Sequence, residues 1–195
     1  MWSSARCAIL TLTGCMSVAA ASITAIGSMN AQTTVQQGSG AEADVWQPVR
    51  FLLGTWTSVN EGQPGNGTGR REYRLVMNDR FIEIRNTTTY PPQSRNPKGE
   101  THEDAGYISY DRNRKTLVLR QFHIEGFVNT YVATRMTPQD IQFTSEAIES
   151  IAPGWRARET YRRINDTEWS ELFELAEPGG DFAKYAEGRF VRAPR

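Results

Sequence analysis

"IQFTSEAIESIAPGWRARETYRRINDTEWSELFELA", residues 141–176, holds three β-rich runs divided by two turn clusters. The runs are 141–150, 155–164 and 168–176, and "APG" and "NDT" separate them. Pro, Gly, Asn and Asp at such spacing reverse a chain tightly, so the stretch predicts consecutive antiparallel strands joined by hairpins.

The same punctuation continues outward. Upstream, strand-like runs fall at 54–58, 69–77, 81–90, 105–110, 115–125 and 127–136; downstream, "KYAEGRFVR" (184–192) adds a tenth. "PPQSRNPKGETHED" (91–104) reads as one long loop, and "GNGTG" (65–69) as a flexible loop at a rim. That glycine run lacks the helix and the Lys-Ser/Thr end of a phosphate cradle. Only "DVWQPVRFLL" (44–53) could form a helical turn or two, with Asp44 as N-cap and Pro48 in the first turn. Ten antiparallel strands in one domain must hide their edges, and closing the sheet removes them. The expected fold is all-β, an antiparallel up-and-down barrel of about ten strands with a short N-terminal helical turn. A sandwich is the competing arrangement. A barrel of about eight to ten strands has room for one small ligand.

The first 31 residues carry a different pattern. "MWSSAR" has one positive charge, an uncharged apolar stretch follows, and "SMNAQTT" is small and polar. This is the order of a secretory signal, with cleavage expected after Ala31 and Ala21 or Ala25 as alternatives. "LTGC" (12–15) also resembles a bacterial lipoprotein box, which would place a lipid on Cys15. Residues 32–44 read as a flexible linker and 45–193 as the barrel domain, about the size of one core. Both cysteines, Cys7 and Cys15, fall in the leader, so the exported chain has neither disulfide nor thiol chemistry. Export to a bacterial periplasm is the expectation. The sequons at Asn66, Asn86 and Asn165 would matter only in a eukaryotic secretory pathway. Lys plus Arg and Asp plus Glu both number 22, well mixed along the chain. No basic face emerges, which argues against nucleic acid and anionic membrane surfaces as partners.

"GTW" (54–56) opens the first strand. Trp56 can plug one barrel end while its N–H finds a carbonyl, and Gly54 allows a tight bend beside it. The segment resembles the G-x-W opening of lipocalin and fatty-acid-binding-protein barrels, in which an arginine of the last strand lies over the tryptophan. Arg189 or Arg192 is therefore expected over Trp56. With "THEDAGYISYDRNRKTL" (101–117) and the 150–176 segment, the domain resembles the nitrobindin-like (calycin) β-barrel family over residues 46–192.

That resemblance implies a ten-stranded barrel with a pocket and, in characterised members, a ferric haem whose axial histidine lies on the final strand. Here no histidine occurs between Phe182 and Arg195; Tyr185 is the nearest group able to bind iron. His102 matches the family's other pocket histidine. His123 alternates with Leu119, Gln121, Glu125 and Phe127, a mixed set that faces inward in a hydrated barrel and outward in a packed one.

Trp56, Tyr73, His102, Gln121, His123 and Tyr185 are the candidate ligand contacts. In "RARETYRR" (156–163), Arg156, Arg158 and Arg162 share a face. They read either as an exposed strand partnered by Glu168, Glu171 and Glu174, or as the source of one inward arginine that would hold an anion. Two histidines without fixed spacing make no metal site, and no G-x-S-x-G is present. The sequence thus points to an exported binding barrel for a small apolar or amphipathic ligand. A haem protein acting on nitric oxide or reactive nitrogen species is the alternative. A pocket-barrel isomerase or hydratase using His, Glu and Tyr comes third.

Overall fold

In the computed structural model, which describes residues 44–194, ten antiparallel strands close into one barrel. They are β1 (Gly54–Gly62), β2 (Gly65–Val76), β3 (Phe81–Tyr90), β4 (Glu100–Asp111) and β5 (Thr116–His123). The second half adds β6 (Val128–Met136), β7 (Asp140–Glu149), β8 (Arg156–Asn165), β9 (Glu168–Ala176) and β10 (Ala183–Arg192). Each strand pairs with its sequence neighbours, and β1 closes on β10 with Trp56 opposite Arg192. No edge is left over, as the hairpin pattern requires. The leader, both cysteines and the linker up to residue 43 lie outside the described residues.

A short 3-10 helix (Gln47–Leu52) precedes β1. Trp46, not Asp44, is its N-cap; the Asp44 carboxylate instead accepts the Trp46 N–H at 3.1 Å and pairs with Arg50. Pro48 occupies the first turn as expected. The helix brings Trp46, Val49 and Leu52 into the core, and Trp46 Nε1 donates to the Asp79 carbonyl in the β2–β3 turn at 3.0 Å. One end of the barrel is therefore stoppered.

Two loops of the sequence reading turn out to be strand. Residues 100–104 belong to β4, so the long loop shrinks to 91–99 and His102 sits on a strand. The glycines of 65–69 lie within β2, and β1 runs on to Gly62 to pair with them. They serve close approach here: a Cβ on Gly67 would stand 2.6 Å from the Tyr90 ring. Conversely, β5 stops at His123, where a turn through Gly126 (φ +89°) leads into β6.

The core is aromatic around Trp169. Its ring stacks on Phe190 at 3.9 Å and meets the edges of Trp56, Tyr73 and Tyr161 at 6.0, 6.1 and 5.5 Å. These side chains come from β1, β2, β8, β9 and β10. They form a layer across the half of the barrel nearer the helix, since offset and edge-on contacts suit their quadrupoles.

Candidate functional site

Above the aromatic layer the interior turns polar. Arg71 of β2 points inward, with its guanidinium carbon 4.6 Å from the Phe190 ring centroid. It donates to both oxygens of Glu171 at 2.7 and 3.1 Å, and to Asn86 Oδ1 at 2.9 Å. Asn86 in turn donates to Asp104 at 2.7 Å. A buried ion pair survives only with such complete partnering. This chain of contacts links β9, β2, β3 and β4 as the floor of a cavity.

The cavity has a volume of about 310 Å3 and opens at the end away from the helix. It is at the small end of the range of about 300–1,000 Å3 usual for ligand pockets. Phe127, Ile148, Phe173, Leu175 and Tyr185 supply apolar wall. Gln121, Asn129 and Glu159 supply buried polar groups. Asn129 Nδ2 donates to Tyr131 Oη at 2.7 Å and lies 3.3 Å from His123 Nε2, which leaves Asn129 Oδ1 without a donor; Gln121 Oε1 has none either. The Glu159 carboxyl receives the Tyr161 hydroxyl. Burial pushes its pKa up to about 8, with Glu171 adding to the push and Tyr161 and Arg71 opposing it.

Of the residues singled out from the sequence, His102, Gln121, His123 and Tyr185 line this cavity, whereas Trp56 and Tyr73 lie in the packed layer below it. The mixed set on β5 faces inward. His123 stacks on Phe127 at 4.4 Å, and burial lowers its pKa against the pull of Asp104 and Glu125. His102 is set between Glu100 (3.2 Å) and Glu125 (2.5 Å) at the rim. The inward arginine is Arg71. In the 156–163 run, Arg158 pairs across strands with Glu174, while Ala157, Glu159 and Tyr161 face inside. Glu171 is not a surface partner, because its strand position shares the inward face of Trp169 and Phe173. Alternation in "RARETYRR" and "EWSELFELA" marked these inward sets as groups, but not which group was interior.

A haem ligated by a histidine of the final strand, as the family resemblance implies, does not fit these residues. Apart from Tyr185 in the cavity wall, the inward positions of β10 are Ala186, Gly188 and Phe190, none of them an iron ligand. A Cβ on Gly188 would stand 2.5 Å from Asn60 Oδ1 and 2.9 Å from the Phe190 ring, so that position has no room for a side chain. His102 is committed to two carboxylates. Burial, then Glu100 and Glu125, push the Tyr185 hydroxyl up and oppose a tyrosinate. The same carboxylates would repel haem propionates.

A family model described as "THAP4-like, heme-binding beta-barrel domain" matches residues 45–192. Among solved structures, Rv2717c from M. tuberculosis superposes with a TM-score of 0.59 at 18% identity, covering 78% of this chain and 99% of that one. A redesigned β barrel, mFAP0, solved bound to DFHBI, gives a TM-score of 0.41 at 12% identity, covering 73% of this chain and 100% of that one. No curated protein matches.

Proposed function

The chain belongs to the THAP4-like, heme-binding β-barrel family, and on that premise we propose that it is an exported binding barrel for one small amphipathic ligand. The observation that carries this reading is the cavity itself, with apolar walls above a buried polar floor, inside a barrel stoppered at its other end. Such a site combines apolar burial with a few fixed polar contacts, which is how small ligands are held. The leader pattern of residues 1–31 supports export to a bacterial periplasm, with a soluble protein beginning near Gln32. A lipid on Cys15 would instead tether the same barrel to a membrane.

Native mass spectrometry of the protein purified from its own host tests the binding reading. A stoichiometric small molecule, lost when Gln121 and Phe127 are changed together to Ala and Trp, is the expected result. Absence of any bound molecule, together with no uptake of a neutral apolar dye, would overturn it. N-terminal sequencing tests export: an intact Met1 in the mature protein would reject it.

A further inference from the structure

We propose that the cavity selects an organic cation, with an ammonium or amidinium group seated against Gln121, Asn129 and Glu159 and an apolar body against Phe127, Ile148 and Leu175. This deepens the binding-barrel reading and rests on it. Two independent observations carry the assignment.

The first is an excess of acceptors. Gln121 and Asn129 are 4% and 3% exposed, face each other across β5 and β6, and both line the cavity. Their carbonyl oxygens have no donor among the described residues. Buried acceptors are ordinarily satisfied, and the missing partner here must be a donor. An ammonium has three N–H groups and an amidinium four, so either can serve both oxygens and a carboxylate at once.

The second is an excess of acidic groups over basic ones. The cavity lining includes the carboxyl groups of Asp104, Glu125, Glu159, Glu171 and Glu187, against a single arginine, Arg71, which is committed to Glu171. At the rim, Glu125 meets His102 and Glu187 meets Lys184. Among the described residues, Asp104 and Glu159 are in no ion pair. A cation that enters such a site is attracted, while an anion meets carboxylates in a region of low dielectric.

The groups around Glu159 are Tyr161 on its own strand, Arg71 and Tyr73 on β2, Asp104 on β4, Tyr131 on β6 and Glu171 on β9. His123 on β5 completes the ring around the cavity. With its pKa raised, Glu159 carries a proton at neutral pH. Arrival of a cation then converts Glu159 from carboxylic acid to carboxylate and releases that proton to solvent. The ligand keeps its own charge.

Calorimetric titration of the full barrel with phenethylamine, 2-phenylethanol and 3-phenylpropionate is the test. These probes share a body and differ in charge. Phenethylamine should bind at least about tenfold tighter than the alcohol, and the carboxylate should bind least. At pH 7 its heat should differ between two buffers of unlike ionisation enthalpy by the amount that proton release requires. Glu159→Gln should weaken the amine about tenfold more than it weakens the alcohol. Should that variant fail to fold, the probe series and the buffer comparison on the unaltered protein decide alone. Equal binding of all three probes, or tighter binding of the carboxylate, would overturn the cation assignment while leaving a binding barrel in place. Uptake of a neutral apolar dye with no binding of any probe has the same meaning. Failure of dye and probes together would sink both readings.

Discussion

Arg192 and Trp56 lie opposite each other across the β1–β10 seam, the guanidinium carbon 4.2 Å from the indole ring centroid. The indole Nε1 donates to the Leu52 carbonyl at 2.6 Å, and Arg192 Nη1 donates to the Leu53 carbonyl at 3.1 Å. Both side chains thus fasten the end of the 3-10 helix where the first strand meets the last. Arg189, the other residue considered for this place, points outward and pairs with Glu168. The stacked guanidinium adds about 0.5–1 kcal/mol at an exposed site. The indole is 1% exposed and contributes far more through burial.

Replacing Trp56 with Ala should cost about 3–5 kcal/mol, as for other buried large aromatics. Urea unfolding monitored by circular dichroism measures it. A loss smaller than that range would mean that the aromatic layer around Trp169 holds together without its β1 member.

Gly54 explains the rest of "GTW". Its φ is +119°, a region that L side chains rarely adopt, and a Cβ there would stand 2.5 Å from Arg192 Nη1. Gly54→Ala should therefore destabilise the barrel through backbone strain and through displacement of Arg192. Adding Arg192→Ala should remove the second part only. A double-mutant cycle should give a coupling of about 0.5–3 kcal/mol between the two sites. Strict additivity would separate Gly54 from Arg192.

Glu159 sets a pH dependence with a definite sign. Its folded pKa, about 8, lies above the value of 4.5 for an unperturbed glutamate. Between these values the folded state holds a proton that the unfolded state has released, so stability falls as pH rises through the window. His123, with its pKa lowered from 6.5, acts the other way, losing stability as pH falls below that value. Glu83 and Glu168, lowered by Arg74 and Arg189, lose theirs as pH falls through the ordinary carboxylate value of 4.5 toward their lowered values. Denaturation midpoints should decline between pH 6.5 and 8, and Glu159→Gln should flatten that decline. An unchanged slope in the variant would place the titrating group elsewhere.

Haem titration should give no stoichiometric Soret band that depends on His102 or His123. A band abolished by either His→Ala change would contradict the reading of β10 and of the two histidines. A band lost only with Tyr185→Phe would identify tyrosinate ligation instead.

The binding site was only half legible in the sequence. His102, Gln121, His123 and Tyr185 stood out because such side chains are rare among apolar neighbours or matched a family position. Asn86, Asn129, Glu159 and Glu171 did not, since each lies in a strand with other polar residues on the opposite face. Asn86 was visible only as part of a sequon, whereas the residue is 7% exposed, between Arg71 and Asp104.

Local chemistry alone determined most of the turns and the strand count, because reversal and alternation are properties of a few adjacent residues, whereas a closed barrel rather than a sandwich needed the pairing of β1 with β10. It also marked the Gly54–Trp56 corner, although the Arg192 that lies over the indole arrives only when β10 pairs with β1. Parity, too, was decided only by the tertiary structure. Arg70 and Arg71 are the same residue type one position apart, and a one-residue change of register exchanges their faces. Arg71 is the interior one because β2 pairs with β1 so that Trp56 lies beside it, and closure then brings Glu171 from β9 into reach, 100 residues along the chain. No stretch of sequence holds that pairing, since the buried charge and its partner meet only once the first strand has closed on the last.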